Sequence, residues 1–400
     1  MRKLTAILAA TTVLAAATVA QADDTKIGVL MDITGPIASF IPPLQNAANL
    51  AVDQVNEQGG LLGGKAVAVY GDTTGSTQGA VDAASKLVNV ENVPIIMGAL
   101  MSSTTIAAAE ASIIPAGVVQ ISPTATSPAM TGIKDNDLLY RIVPSDNYQG
   151  AVLARMVLEE GLKKVAVTYV NNDYGVGIGQ TFIDAYKAAG GEVAAEVKHE
   201  EKKDSYRSEL ATLSQSGAEA LVVIAYAGDS GGKIVKQALE GGLFSKFIGT
   251  DGLRDEALIK DIGAEALATS FFSSPTSPAD NPAQKTLHDA FNAKYGEGAD
   301  KPFVDQTYDA TFLTLLAVEK AGSADRAKIA AALREVASAP GEKVGPGEWA
   351  KARQLIAEGK DIDYDGAGGA YDFDANGDVT GFIGKFVVDG DKYKQTAIAQ

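Results

Sequence analysis

Short apolar runs alternate with helical stretches along most of the chain, and the alternation occurs twice. A run such as Val93–Met97 is apolar throughout, which suits a strand buried on both faces of a sheet. Such strands separated by helices indicate βαβ units and a parallel sheet. Two doubly wound α/β lobes are therefore predicted, with strands at Lys26–Met31, Ala66–Tyr70, Val93–Met97 and Val118–Ile121 in the first and at Lys164–Val170, Glu192–Val197, Ala220–Ile224 and Lys246–Gly249 in the second.

Segments of a different character separate and follow the two lobes. The pattern breaks near Arg141–Gly150, where Pro144 is surrounded by polar residues. Helical sequence dominates from Asn281 to Leu333, and Gly345–Asp365 is predicted to be a long polar insertion. Ala370–Val388 is predicted to form a hairpin whose turn has the sequence Ala-Asn-Gly-Asp.

The first 22 residues have the pattern of a cleaved secretory signal peptide. Arg2 and Lys3 precede an apolar run from Leu4 to Ala20, and Ala20-Gln21-Ala22 is a small-residue cleavage site. The mature chain is expected to begin near Asp23. Since no later segment approaches the ~20 apolar residues needed to span a bilayer, we expect a soluble, exported, periplasmic protein.

Composition excludes several classes of function. The formal charge of −16 disfavours nucleic acid and anionic lipid as partners. The chain has no cysteine, which excludes thiol catalysis and Cys-based metal sites, and only two histidines. His199 lies among charged residues and is expected to be solvent-exposed, whereas His288 is expected on a helix. No metal and no cofactor are expected.

Three motifs resemble catalytic or ligand loops without meeting their requirements. Gly228–Gly232 reads Gly-Asp-Ser-Gly-Gly, as around the nucleophile of trypsin-like serine proteases, but that fold is all-β and a triad needs an imidazole beside the serine. Gly175–Gly179 lacks the register of a dinucleotide loop. Asp372–Gly377 begins like a calcium loop, yet the twelfth position is Ile383 instead of glutamate. The residues thus indicate a binding protein, not an enzyme.

Hydroxyl side chains follow two neighbouring strands of the first lobe. Ser102–Thr105 come after Val93–Met97, and Ser122, Thr124 and Thr126 come after Val118–Ile121. Open α/β sheets bind ligands at the carboxyl ends of their strands. These turns therefore suit a wall of a carboxylate site, although serine and threonine also cap helices locally, and both interpretations remain open at this point.

Several motifs, in order along the mature chain, are similar to those of one family. They are Thr34-Gly35-Pro36, Gly59–Gly64, Gly98–Thr105, Ile121–Pro128, Asn172–Gly175 and Asp372–Gly381. The sequence resembles the periplasmic substrate-binding proteins of ABC transporters in the leucine/isoleucine/valine-binding family. The resemblance implies the type I periplasmic binding protein fold, with two lobes, three crossovers and a ligand cleft that closes by hinge motion. The implied boundaries are 23–145 plus 275–378 for the first lobe and 146–274 plus 379–400 for the second.

The resemblance also implies roles for individual residues. Ser102 matches the serine that binds the amino-acid carboxylate, with Thr124 and Thr126 beside it, and Asp251 matches the acidic residue that faces the ammonium. A zwitterion needs donors at one end and an acceptor at the other, so these assignments agree with the chemistry. The side-chain pocket is expected to comprise Phe40, Leu100, Met101, Tyr174, Tyr226, Ala227 and Phe303.

Two departures from the family pattern affect this expectation. Met101 stands where some members have a disulfide-bonded cysteine. The family tyrosine after strand Ala220–Ile224 falls in register with Ala227, one residue after Tyr226, so either residue is a candidate to face the ligand.

The implied function is the capture of an aliphatic, branched-chain type amino acid and its delivery to an ABC permease, by a monomer. Binding of a GABA-like or aromatic amino acid, an amide or urea is an alternative, as is a ligand-sensing regulator with the same fold. Ser102 together with Asp251 favours a zwitterion over urea.

Overall fold

A computed structural model describes residues 23–400, so the predicted signal peptide lies outside the described residues. The first sheet is wholly parallel and has the order β2-β1-β3-β4-β5. Every residue of β3 and β4 is buried, as expected for strands covered on both faces. The five strands are β1 (Thr25–Met31), β2 (Ala66–Asp72), β3 (Ile95–Gly98), β4 (Val119–Ser122) and β5 (Leu139–Arg141).

The second sheet has seven strands in the order β14-β13-β10-β9-β8-β6-β7. Its first five strands in the chain are parallel, whereas β13 and β14 add an antiparallel edge. A small parallel pair, β11 (Glu342–Val344) and β12 (Ile362–Tyr364), stands apart. The seven strands are β6 (Lys164–Val170), β7 (Glu192–His199), β8 (Ala220–Ile224), β9 (Phe247–Gly249), β10 (Phe271–Thr276), β13 (Phe382–Asp389) and β14 (Lys392–Ala399).

Helices cover both sheets, so the two βαβ lobes predicted from the alternation are confirmed. α1–α3 and α9–α12 accompany the first sheet, and α4–α8 accompany the second. They are α1 (Ile41–Glu57), α2 (Thr77–Asn89), α3 (Ser102–Ala108), α4 (Asp146–Glu159), α5 (Asp173–Ala188), α6 (Arg207–Ser214), α7 (Gly232–Glu240), α8 (Glu256–Ile262), α9 (Pro282–Tyr295), α10 (Val304–Ala321), α11 (Arg326–Ala337) and α12 (Trp349–Ala357).

The chain crosses between the two sheets three times. It passes from β5 to α4, returns after β10 to α9, and crosses again between β12 and β13. Contacts such as the 3.1 Å hydrogen bond from Asp173 N to Ser103 Oγ join the lobes directly. The structure therefore represents a closed arrangement. Within residues 23–400, no helix is long and apolar enough to cross a membrane.

One prediction about the last quarter of the chain was wrong, and another gains detail. The segment Gly345–Asp365, predicted as a long polar insertion, contains α12 and β12, and Trp349 of α12 is fully buried. The closing hairpin is formed by β13 and β14 instead of turning at Ala375–Asp378. Asp378 lies in a turn between the lobes. Its carboxylate accepts hydrogen bonds from the buried guanidinium of Arg141, and this contact fixes the turn.

The expectation that His199 is solvent-exposed was also wrong. His199 is 1% exposed, and its Nδ1 and Nε2 lie 2.8 Å from Thr168 Oγ1 and 3.0 Å from Ser230 Oγ. A serine and an imidazole are thus paired, but both are buried and neither lines a cavity. Burial lowers the pKa of His199 to about 4, so the ring is neutral and ties β6 and β7 to the turn before α7.

We expect this histidine to make the protein less stable in mild acid. His199 becomes protonated near pH 6.5 in the unfolded chain and near pH 4 in the folded chain. The contribution of the neutral ring to the free energy of unfolding is therefore complete above pH 6.5 and is lost toward pH 4. Its full size is about 3 kcal/mol. Urea unfolding at stepped pH should show a shallower decline of the free energy of unfolding in His199→Gln than in wild type.

His288 supplies a control of opposite sign. Burial lowers the pKa of His288, but the hydrogen bond and charge of Asp305 outweigh burial and raise it overall. Its contribution is therefore present below the unfolded pKa and lost as the pH rises. His288→Gln should steepen the decline toward acid pH, and equal slopes in wild type and His199→Gln would contradict the assignment.

Candidate functional site

A small cavity lies between the carboxyl ends of the two sheets. In the first sheet the order reverses between β1 and β3, and in the second between β6 and β8, which are the switch points where open α/β sheets bind ligands. The cavity is lined by Ile37, Phe40, Leu44, Leu100, Met101, Ser102, Thr124, Thr126, Tyr174, Tyr226, Asp251, Gly252 and Phe303.

The wall from the first lobe is organised by a buried carboxylate, Asp32, directly after β1. Its Oδ2 accepts hydrogen bonds from the backbone N–H groups of Leu100 (2.9 Å) and Met101 (3.1 Å), and its Oδ1 accepts one from Thr73 Oγ1. These bonds fix the chain as it leaves β3 and enters α3. Asp32 therefore determines where Ser102 is presented to the cavity.

The hydroxyl groups of this wall differ in what they offer to a ligand. Ser102 Oγ accepts a hydrogen bond from Ser127 N (3.2 Å), so its hydrogen remains free to donate. Thr126 makes no side-chain hydrogen bond within the described residues, whereas the Thr124 hydroxyl donates to the carbonyl of Leu100. Ser102 and Thr126 are consequently the available hydroxyl donors. Thr124 shapes the turn.

The other three hydroxyls after β3 have separate roles. Thr104 and Thr105 donate to the carbonyl of Met101 at 2.9 and 2.8 Å, which is local helix bonding as the capping interpretation predicts. Ser103 instead accepts from the backbone of Asp173 on the second lobe. It is thus a contact across the cleft, which the local interpretation missed.

The wall from the second lobe presents a carboxylate to the cavity. Asp251 follows β9 and is 5% exposed. Its Oδ1 accepts hydrogen bonds from Gln149 Nε2 (2.8 Å) and the Tyr174 hydroxyl (3.1 Å), while no hydrogen bond from the described residues reaches Oδ2. Tyr174 is itself held by Thr250 Oγ1 (2.6 Å) and by Gly252 N (3.2 Å). One oxygen is therefore fixed by donors, and the other remains available to a cation.

Burial raises the pKa of Asp251 to about 6, and the donors Gln149 and Tyr174 oppose that rise. The carboxylate is consequently ionised at neutral pH. An ionised group in a nearly dry cavity interacts strongly with a positive partner, because little water competes.

The remainder of the cavity is apolar. Phe40 and Leu44 belong to α1 and the turn before it, Phe303 precedes α10, and Tyr226 stacks on Tyr174 with ring centroids 5.2 Å apart. The space for the centres of water-sized molecules is only about 40 Å³, room for roughly three waters. The closed cavity thus suits a small ligand.

The cavity brings together all but one of the predicted site residues. The exception is Ala227, which does not line the cavity, whereas the other candidate at this position, Tyr226, does. Ile37, Leu44 and Gly252 line the cavity and were not predicted. Ile37 and Leu44 share a helical face with Phe40, but the same spacing describes an ordinary core residue.

Residues 23–400 contain no group of three or more His, Asp or Glu side chains that could hold a metal ion. Beside the cavity, a larger groove between the lobes shares Phe40 with it. Two polar contacts cross the lobes at this groove, one from Ser39 to Asp255 and one between Lys301 Nζ and Glu256 Oε1 at 2.5 Å. The groove is thus the closed mouth of the cleft.

The sequence profile described as "Periplasmic binding protein" matches residues 24–378. The chain belongs to this family. As a periplasmic binding protein it has the type I fold that the resemblance implied, with two lobes and three crossings.

Relatives of this periplasmic binding protein have names that state their ligands. It is 30% identical over 335 residues to the leucine-, isoleucine-, valine-, threonine- and alanine-binding protein of Pseudomonas aeruginosa, covering 83% of this chain and 88% of the relative. It is 31% identical over 339 residues to the Leu/Ile/Val-binding protein BraC3 of Rhizobium johnstonii, covering 84% and 89%.

A solved structure is similar over nearly the whole length. The branched-chain amino acid transporter substrate-binding protein LivJ from Streptococcus pneumoniae, in complex with isoleucine, aligns with a TM-score of 0.78 at 27% identity. The alignment covers 94% of this periplasmic binding protein and 99% of LivJ.

We expect Asp32→Ala to lower the free energy of unfolding by about 2–4 kcal/mol, because it leaves two buried N–H groups and a hydroxyl without an acceptor. Urea denaturation measures the loss. Asp72→Ala is the matched control, since Asp72 ends the neighbouring strand and accepts from Thr34 and Thr74 where water can replace it. Its loss should be below about 1 kcal/mol, and equal losses would contradict the role of Asp32.

Proposed function

We propose that the protein is an extracytoplasmic solute-binding protein that captures an aliphatic amino acid, of the branched-chain type, between its lobes and delivers it to an ABC permease. One observation carries the proposal. The unpaired Oδ2 of Asp251 and the free hydroxyls of Ser102 and Thr126 lie on opposite walls of one closed cavity. An ammonium and a carboxylate on one small molecule complement these two walls.

The residues assigned from the resemblance take these roles in the proposal. Asp251 accepts from the ligand ammonium, while Ser102 and Thr126 donate to the ligand carboxylate, with the Thr124 turn supporting them. Leu100, Met101, Phe40, Phe303 and Tyr226 surround the side chain, and Tyr174 supports Asp251. The names of the relatives, which state branched-chain, threonine and alanine ligands, support an aliphatic amino acid.

Chemistry in the cavity supports binding in preference to catalysis. The cavity contains a carboxylate and hydroxyls but no imidazole to activate a nucleophile. The Ser230–His199 pair is buried outside it, and the second nitrogen of His199 faces Thr168 instead of a carboxylate. A non-enzymatic carrier therefore accounts for the site.

Export and delivery complete the proposal. The leader pattern of residues 1–22 and the family membership support a periplasmic location. We assign residues 23–145 plus 275–378 to the first lobe and 146–274 plus 379–400 to the second. The protein would act as a monomer that meets its permease with the lobes closed around the ligand.

We expect Asp251→Asn to weaken binding of isoleucine, leucine or valine by about 10- to 100-fold, since it removes one charge-assisted hydrogen bond worth ~1.5–3 kcal/mol. Isothermal titration calorimetry on the mature protein measures the dissociation constants. Wild-type affinity should also fall toward acid pH, as Asp251 of the ligand-free protein becomes protonated and can no longer attract an ammonium.

Asp184→Asn, at an exposed position of α5, is the matched control and should bind as wild type does. Unchanged affinity in Asp251→Asn would refute the ammonium assignment. Failure of the wild-type protein to bind any aliphatic amino acid would refute the proposed function.

The size of the cavity predicts selectivity. Wild type should bind isoleucine at least about 10-fold more tightly than phenylalanine, because a ring overfills the pocket. Phe40→Ala should reduce this ratio by weakening isoleucine and admitting phenylalanine. Competitive calorimetry with the two ligands gives the ratio.

Tyr295→Ala removes a ring on α9 outside the cavity and should leave the ratio unchanged. If Phe40→Ala and Tyr295→Ala have the same ratio as wild type, Phe40 does not determine selectivity.

A further inference from the structure

A second buried carboxyl lies behind the candidate site. Asp146, the first residue of α4, is fully buried, and neither of its oxygens has a hydrogen-bond partner within the described residues. Its backbone N–H donates to the carbonyl of Thr126 at 2.8 Å, which holds the residue against the first lobe. Burial, followed by the charge of Asp251, raises the pKa of Asp146 well above its ordinary value.

The polar groups around Asp146 come from several elements. The Thr126 side chain faces the carboxyl, and Asp251 approaches it from the second lobe. Tyr174 of α5 and Tyr226 after β8 are close enough to sense its charge, and burial raises the pKa of both tyrosines, so they are neutral.

The positive charge of Arg141 opposes the rise in the pKa of Asp146, but its guanidinium is already engaged. Nε and Nη2 bind Asp378, and Nη1 donates to the carbonyls of Thr126 and Ser127, each at 2.8 Å. Arg141 therefore reduces the cost of a charge on Asp146 without donating a hydrogen bond to it.

Two carboxyls close together in a dry site do not both ionise readily. Asp251 has two donors on Oδ1 and is the better anion, whereas an ionised Asp146 would be a buried charge without a donor. The proton of the pair therefore belongs on Asp146.

We propose that Asp146 keeps its proton in the closed protein and is the group that makes ligand affinity depend on pH above neutrality. The inference rests on the proposed function for the identity of the ligand. It leaves the Asp146–Asp251 pair with a single negative charge, which matches the single positive charge of an ammonium.

Affinity for the ligand is therefore expected to fall as the pH rises. An ionised Asp146 would place a second, unpartnered negative charge beside Asp251 in the closed protein. Closing the lobes on the ligand therefore takes up a proton, and affinity falls as the pH rises above the pKa of Asp146 in the open protein. Toward acid pH, protonation of Asp251 lowers affinity instead.

The first experiment detects the proton directly. Infrared difference spectroscopy at pH 7 of the protein saturated with isoleucine, wild type minus Asp146→Asn, should contain the carbonyl band of a protonated carboxyl. Wild type minus Asp184→Asn should lack it, because Asp184 is exposed. Absence of the band from the Asp146 difference spectrum would overturn the proposal, even if amino acids bind.

The second experiment measures isoleucine affinity by calorimetry between pH 6.5 and 8.5. Wild type and Asp184→Asn should weaken by at least about threefold over this range with net proton uptake, whereas Asp146→Asn, whose amide cannot ionise, should show no such decline. Thr126→Val, which removes a proposed carboxylate donor but keeps Asp146, should bind more weakly than wild type at every pH.

The outcomes separate the two proposals. Failure to bind any amino acid would refute the proposed function, whereas binding without the carboxyl band would refute only the protonated Asp146. A flat wild-type profile, or a decline retained in Asp146→Asn, would refute the role of Asp146 while the function stands.

Discussion

The ionised carboxylate of Asp251 is the constraint on which the closed structure depends. Closing the lobes removes this group from water, and Gln149 and Tyr174 satisfy only one of its oxygens. A buried carboxylate with an unsatisfied oxygen costs free energy, and in the proposed function a ligand ammonium removes that cost. Such a ligand would stabilise the closed state more than the open state, which is the condition for a ligand to shift a conformational equilibrium.

Contacts between the lobes are too weak to replace the ligand. The Lys301–Glu256 pair at the mouth is partly exposed, and such pairs contribute about 0–1 kcal/mol. Hydrogen bonds from Asp173 N to Ser103 and from Ser127 Oγ to the Asp173 carbonyl add contributions of the same order. These contacts thus define the orientation of the closed lobes, whereas the site between them determines the stability of the closed state.

The sequence was sufficient to predict the two sheets, because each buried strand is a local apolar run between turns. The strands Lys164–Val170 and Ala220–Ile224 have the predicted bounds. His199 was predicted wrongly because the charges of Lys198 and Glu200 were taken to describe its surroundings. Neighbours along a strand point to the opposite face, so charged neighbours are compatible with the burial of His199 at the end of β7.

The site itself shows where sequence reasoning ends. Ser102, Thr126 and Asp251 were named through the resemblance, and chemistry alone left donors and caps undecided, because a serine after a strand has the same sequence signal in both roles. The acceptor to which each hydroxyl hydrogen is bonded distinguishes a helix cap from a donor for the ligand. Thr104 and Thr105 use theirs on the helix itself, whereas Ser102 accepts from Ser127 and keeps its own. Gln149 and Asp146 carry no local signal either, since their importance comes from meeting Asp251 and Thr126 across more than one element. Such tertiary pairings exist only after both sheets have formed, so the hydrogen-bond network identifies these residues.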